Sequence, residues 1–163
     1  GNFRERPEVS QNREGEKVKL EELLREAGRI AKELSLTGFE KPVKTVWELI
    51  RESGYEVLRM EACPEEVWMG ETLKCATLKL AVEEEALSTW EGDIKLVKLV
   101  SIRLCEERGV EVRLEIKVLP LGIEEGTGYS YPEMWKAIDK RTFREAFDGI
   151  KNTIFISSKC PLG

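Results

Sequence analysis

Residues 94–120, IKLVKLVSIRLCEERGVEVRLEIKVLP, constrain the fold more than any other stretch of this chain. Val110, Val112, Leu114, Ile116 and Val118 alternate with Glu111, Arg113, Glu115 and Lys117. Val100, Ile102 and Leu104 mirror the apolar set across CEERG. A period of two sends successive side chains to opposite faces of a strand. The segment therefore predicts an antiparallel hairpin with one buried face and one wet, charged face. Gly109 supplies a turn conformation that other residues resist, and Pro120 ends the hairpin.

The period is helical upstream. VKLEELLREAGRIAKELSL places Leu20, Leu23, Leu24, Ala27, Ile30, Ala31 and Leu34 on one face, with Thr37-Gly38 as the stop. Glu21–Arg25 and Arg29–Glu33 add opposite-charge pairs four apart. KPVKTVWELIRESG predicts a second helix with Pro42 in its first turn, Gly54 past its end, and Val43, Val46, Trp47 and Ile50 inward. YEVLRMEAC (55–63) reads as a strand with Tyr55, Val57, Arg59 and Glu61 on one side. PEEVWMGE follows as a loop exposing Trp68 and Met69.

Residues 72–90, TLKCATLKLAVEEEALSTW, fit both periods. Ala76, Leu78, Leu80 and Val82 alternate, whereas Leu73, Ala76, Leu80 and Leu87 suit a helix. A strand followed by a loop or helical turn is the expectation. After Pro120, SYPE (130–133) fits a capping box, and Thr142 with Glu145 repeats that spacing. Two short helices, about 131–140 and 142–149, are expected there. Ile154, Phe155 and Ile156 predict a last strand at a sheet edge.

The fold class is thus α+β: two N-terminal helices, an antiparallel sheet of about four to five strands, and a C-terminal helical region packed on one sheet face. Residues 1–16 read as a flexible arm and 17–163 as one domain, a length that supports its own core.

Composition narrows the setting. All but three of the 31 acids are Glu, the exceptions being Asp93, Asp139 and Asp148, and amides are limited to Asn2, Gln11, Asn12 and Asn152. That pattern points to a thermophile. Residues 54–92 carry nine acidic and three basic side chains, which argues against nucleic acid as a partner. No apolar run reaches membrane-spanning length, and the first residues lack the apolar segment of a signal peptide, so a cytoplasmic protein is expected.

The chain has no histidine, which removes the usual neutral-pH base and the usual zinc ligand. Cys63, Cys75, Cys105 and Cys160 contain no Cys-x-x-Cys pair, which argues against a metal or iron–sulfur site, and no cofactor is expected. Buried free thiols are the first expectation for them, and two disulfides the alternative.

The binding candidates are aromatic. Tyr129, Tyr131 and Trp135, with Trp47 and Trp68, suit the walls of a small-molecule pocket. Gly122, Gly126 and Gly128 give the 121–128 loop the freedom of a lid, against the plainer role of connector.

RIAKELSL, VWELIRESGY and the 94–118 hairpin, in that order, resemble the 4-vinyl reductase-like small-molecule-binding domain over residues 23–119. The clustered cysteines of that family are not evident, and the tail after Pro120 is extra. The layout is also similar to lipid-binding helix-grip folds, which wrap a curved sheet around a long final helix. Both implications rest on element order.

The leading functional expectation is a non-catalytic domain that binds or senses an apolar small molecule between sheet and helices. The alternative is a structural or regulatory subunit, acting as a homo-oligomer or with a protein partner through the acidic middle, Trp68-Met69 and an edge strand at 153–157. A carboxylate-based enzyme without a recognisable motif comes third.

Overall fold

The computed structural model describes residues 16–64, 74–90, 92–107, 109–120, 126–130, 143–149 and 154–157, with backbone alone at 89, 118–120, 126–130 and 154–157. In chain order the elements are α1 (Leu20–Leu34), α2 (Glu40–Glu52), β1 (Arg59–Pro64), β2 (Cys75–Thr89), β3 (Gly92–Cys105), β4 (Gly109–Pro120), β5 (Gly126–Ser130), α3 (Phe143–Asp148) and β6 (Ile154–Ser157). The six strands form one antiparallel sheet in sequential order. The fold is therefore α+β.

α1 buries Leu23, Ala27, Ile30, Ala31 and Leu34, the stripe its spacing predicts. It stops at Leu34, three residues before Thr37, because Ser35 takes the left-handed conformation (φ 54°) and its N–H closes onto the helix carbonyls. α2 buries Val43, Val46 and Ile50. Gly54 follows it at φ 86°, and the Tyr55 N–H donates to the Ile50 carbonyl, so the expected glycine stop is there.

The β3–β4 hairpin pairs Leu104 with Val110, Ile102 with Val112 and Val100 with Leu114, the predicted mirror. These residues, with Met60, Leu78 and Leu80, form one core with the buried faces of α1 and α2. Phe143, Ala146 and Phe147 of α3 belong to the same core. The Phe143 N–H donates to Ser53 Oγ at 2.9 Å, so a side chain just past α2 caps α3. The rest of the expected C-terminal helical region, residues 131–142, lies outside the described residues, as does the N-terminal arm through residue 15.

Four expectations change. First, β1 begins at Arg59, not Tyr55, and its phase differs: Tyr55, Val57, Met60 and Cys63 are buried, while Arg59 and Glu61 are half-buried on the other side. Residues 55–58 form no strand, although the Leu58 N–H still donates to the Ala81 carbonyl. Second, residues 75–89 are strand throughout. The register steps from Ala81↔Leu99 to Glu83↔Lys98, leaving Val82 as an extra residue. This bulge places Leu80, Ala81 and Val82 in succession among the buried residues, which hides the period of two.

Third, the sheet has a strand beyond the expected four to five. Gly126 to Ser130 form β5, paired with β4 and β6. Ser130 ends that strand opposite Glu115, while the rest of SYPE lies outside the described residues. Fourth, the thiols are not free. Cys75 and Cys105, directly opposite in the β2–β3 register, form a disulfide with S–S 2.05 Å. Cys63 is disulfide-bonded as well. Linking residues 30 apart restricts the unfolded chain by an amount worth roughly 3–4 kcal/mol.

Candidate functional site

Of the five aromatic candidates, only Trp47 has a described side chain. It lies half-buried on α2 against the core, with the Arg51 guanidinium carbon 6.0 Å from its ring centre. Tyr129 occupies a β5 position between Ile116 and Ile154. Trp68, Tyr131, Trp135 and Gly122 lie outside the described residues. Gly126 and Gly128 are paired strand positions, so the loop expected over 121–128 gives way to β5 at 126.

The chemistry concentrates on the sheet face turned away from the helical core. Three neighbouring rungs of the register carry it. Glu61, Lys79, Ser101 and Arg113 share one. Arg59, Ala81, Leu99 and Glu115 share the next. Glu84, Val97, Lys117 and Gly128 share the third. Ala81, Val97 and Leu99 form a small apolar cluster of their own between the charged groups.

Glu115 is the hub. It is only 2% exposed and accepts a hydrogen bond from Ser101 Oγ at 3.0 Å. Lys79 Nζ and Arg113 Nη2 each stand 3.9 Å from its carboxylate. Glu84 gathers a second set, pairing with Arg59 and, at 3.6 Å, with Lys95.

Lys117 differs from all of these. It too is 2% exposed. Among the described residues its Nζ finds no hydrogen-bond partner. Its pKa is lowered to about 8, first by burial and then by the like charge of Lys79; Glu115 and Glu61 pull the other way without restoring it. Its register neighbours across the strands are Val97 and Gly128, one apolar and one without a side chain.

The wet face expected for Glu111, Arg113, Glu115 and Lys117 is therefore half wrong. Glu111 and Arg113 are half-buried, and Glu115 and Lys117 are buried. A signal for this was present in β3. KLVKLVSIRLC is apolar at both parities, with Val97 and Leu99 on one face and Val100 and Ile102 on the other. A strand apolar on both sides implies that both sides are covered.

A buried ammonium without an acceptor is costly, and an anion supplied from outside would satisfy it. A lysine with lowered pKa is also the form in which this side chain becomes a nucleophile.

A second feature escaped the sequence reading. Trp90, in the β2–β3 turn, is 93% exposed, the one large apolar side chain so exposed among the described residues. Among the described residues, no helix is long and apolar enough to cross a membrane, and no group of three His, Cys, Asp or Glu side chains is gathered as a metal site requires. Comparison of the chain with family models, curated proteins and solved structures gives no match.

Proposed function

We propose that this chain is a small-molecule-binding domain whose ligand is a small organic anion, received on the charged face of the sheet around Lys117 and Lys79. The single observation that carries this reading is the Lys117 ammonium, buried and without a hydrogen-bond partner among the described residues. A native protein rarely leaves such a group unsatisfied unless something else completes it. This moves the pocket from the expected site between sheet and helices. There the described side chains make a continuous apolar core whose polar groups, such as Tyr55 Oη and Ser53 Oγ, already take part in hydrogen bonds. The setting we infer is the cytoplasm of a thermophile, where protein disulfides such as Cys75–Cys105 are tolerated.

A second reading, an interaction subunit, draws on Trp90, since an exposed tryptophan at a hairpin tip suits a partner surface. One experiment separates the two: native mass spectrometry of the protein, beside its denatured mass, with and without millimolar glycolate. A noncovalent acid adduct, one per chain and reduced by Lys117→Gln, is the expected result. A dimer carrying no adduct shifts the weight to Trp90. A bare monomer that glycolate neither binds nor stabilises removes the anion reading.

A further inference from the structure

We propose that Lys117 is the amine of a covalent carbonyl site, forming an imine with a small 2-oxo acid. This rests on the anion-binding reading and names the ligand class. The geometry supplies each part. Lys117 sits in the interior of the sheet on β4, beside Val97 and opposite Gly128, its buried amine without a hydrogen-bond partner among the described residues. Lys79 is the cation that acts on Lys117, and its long contact with Glu115, 3.9 Å, leaves it able to receive the carboxylate. Glu115 and Glu61 are carboxylates near enough to act electrostatically on Lys117.

The step balances without an oxidant or reductant. The neutral amine nitrogen attacks the ligand's carbonyl carbon, the C=O pair moves to oxygen, and that oxygen takes up the proton released from nitrogen. The nitrogen lone pair then expels that hydroxyl, which leaves as water with a proton taken from solvent, and the iminium nitrogen returns its remaining proton to solvent. One amine and one carbonyl become one imine and one water.

The charged groups of the face bear on the pH dependence. Glu61 and Arg59 belong to β1, Lys79 and Glu84 to β2, Lys95 to β3, and Arg113 and Glu115 to β4. Glu84 is held by Arg59 and Lys95, which leaves Lys79 as the unfavourable neighbour and Glu115 with Glu61 as the favourable ones. The amine is thus about half neutral near pH 8 and increasingly neutral above it.

The test is reductive trapping. The full chain is incubated with glyoxylate, the smallest 2-oxo acid, and separately with pyruvate, in the presence of cyanoborohydride, and modified peptides are mapped. The expected result is one adduct per chain on Lys117, formed at least about tenfold faster than on exposed lysines, because each unit of lowered pKa gives tenfold more neutral amine. The rate should rise through about pH 8 and level above it. Lys117→Arg should abolish the adduct, and Lys79→Met should slow it. The wild-type map and pH profile stand even where a variant fails to fold. Labelling spread over exposed lysines, with Lys117 untouched by both acids, overturns the imine. If glycolate, which has the carboxylate without the carbonyl, then stabilises the protein as much as glyoxylate does, the anion reading survives alone. If neither acid binds, both fall.

Discussion

The two faces of the sheet treat a lysine in opposite ways. Lys98 lies at the end of the helix-side face. Its Nζ is 2.8 Å from a Glu83 carboxylate oxygen and donates to Tyr55 Oη at 3.3 Å. It also lies 5.7 Å and 5.6 Å from the ring centres of Tyr55 and Phe147. Burial works against its charge, but Glu83 and Tyr55 outweigh burial and its pKa is raised. Lys117, on the other face, has burial and a like charge without a partner, and its pKa falls to about 8. The difference teaches where function is to be sought. The helix-side face satisfies its polar groups and so serves stability. On the other face the Arg59 and Arg113 guanidinium groups each face a carboxylate, while the Lys117 ammonium stays unsatisfied among the described residues at a cost, which selection for stability alone would remove.

Breaking the helix-side face has the largest expected effect. Phe147 is 2% exposed, packs edge-on to Tyr55 at 5.8 Å between ring centres, and belongs to the main core. Phe147→Ala should cost about 3–5 kcal/mol, read as a lowered midpoint in chemical denaturation. A cost under about 1 kcal/mol would mean that α3 is not part of the cooperative core.

The same contrast explains what the sequence made legible. The hairpin of β3 and β4 was readable to its register, because alternation and the CEERG turn act locally and agree. α1, α2 and the glycine stop at Gly54 were readable for the same reason. β2 was ambiguous because the bulge at Val82 places three buried residues in succession, and a bulge is fixed by the partner strand. β5 was missed because GTGYS has no apolar alternation, and its pairing comes from β4 and β6. Lys117 was misplaced because a charged residue in an alternating strand reads as solvated. Its burial follows from neighbours on other strands, and only the two-sided apolarity of β3 hinted at it.

The next largest effect has the opposite sign. Lys117→Met keeps the volume and removes the buried charge. It should stabilise the protein by about 1–3 kcal/mol near neutral pH, while abolishing the trapped adduct. The gain depends on pH in a defined direction. Below about 8 both folded and unfolded wild-type chains carry the proton on Lys117, and the full cost of burying the charge is present. Between about 8 and the ordinary value of 10.5 the folded chain has released that proton while the unfolded chain still holds it, so wild-type stability rises and the variant's advantage shrinks. Destabilisation at pH 7 would mean that the Lys117 ammonium is already satisfied, and the argument for a ligand would fail.

Lys98→Met is the smallest change and the sharper control, because it removes a lysine of similar position and leaves the site untouched. Lys98 is partly exposed, so its ion pair with Glu83 is screened, and the loss should be about 1–2 kcal/mol including the ring contacts. Its pKa is raised, so its contribution is fully present below 10.5 and disappears only as pH climbs through the still higher folded value. Between about pH 8 and 10.5 the two lysines therefore separate: Lys117 no longer costs stability, while Lys98 still supplies it. Denaturation midpoints of the two variants measured across that window should converge on the wild type for Lys117→Met and stay below it for Lys98→Met. Two curves that move together would mean that both faces treat a lysine alike, and the charged face would then be a structural network with no vacancy for a ligand to fill.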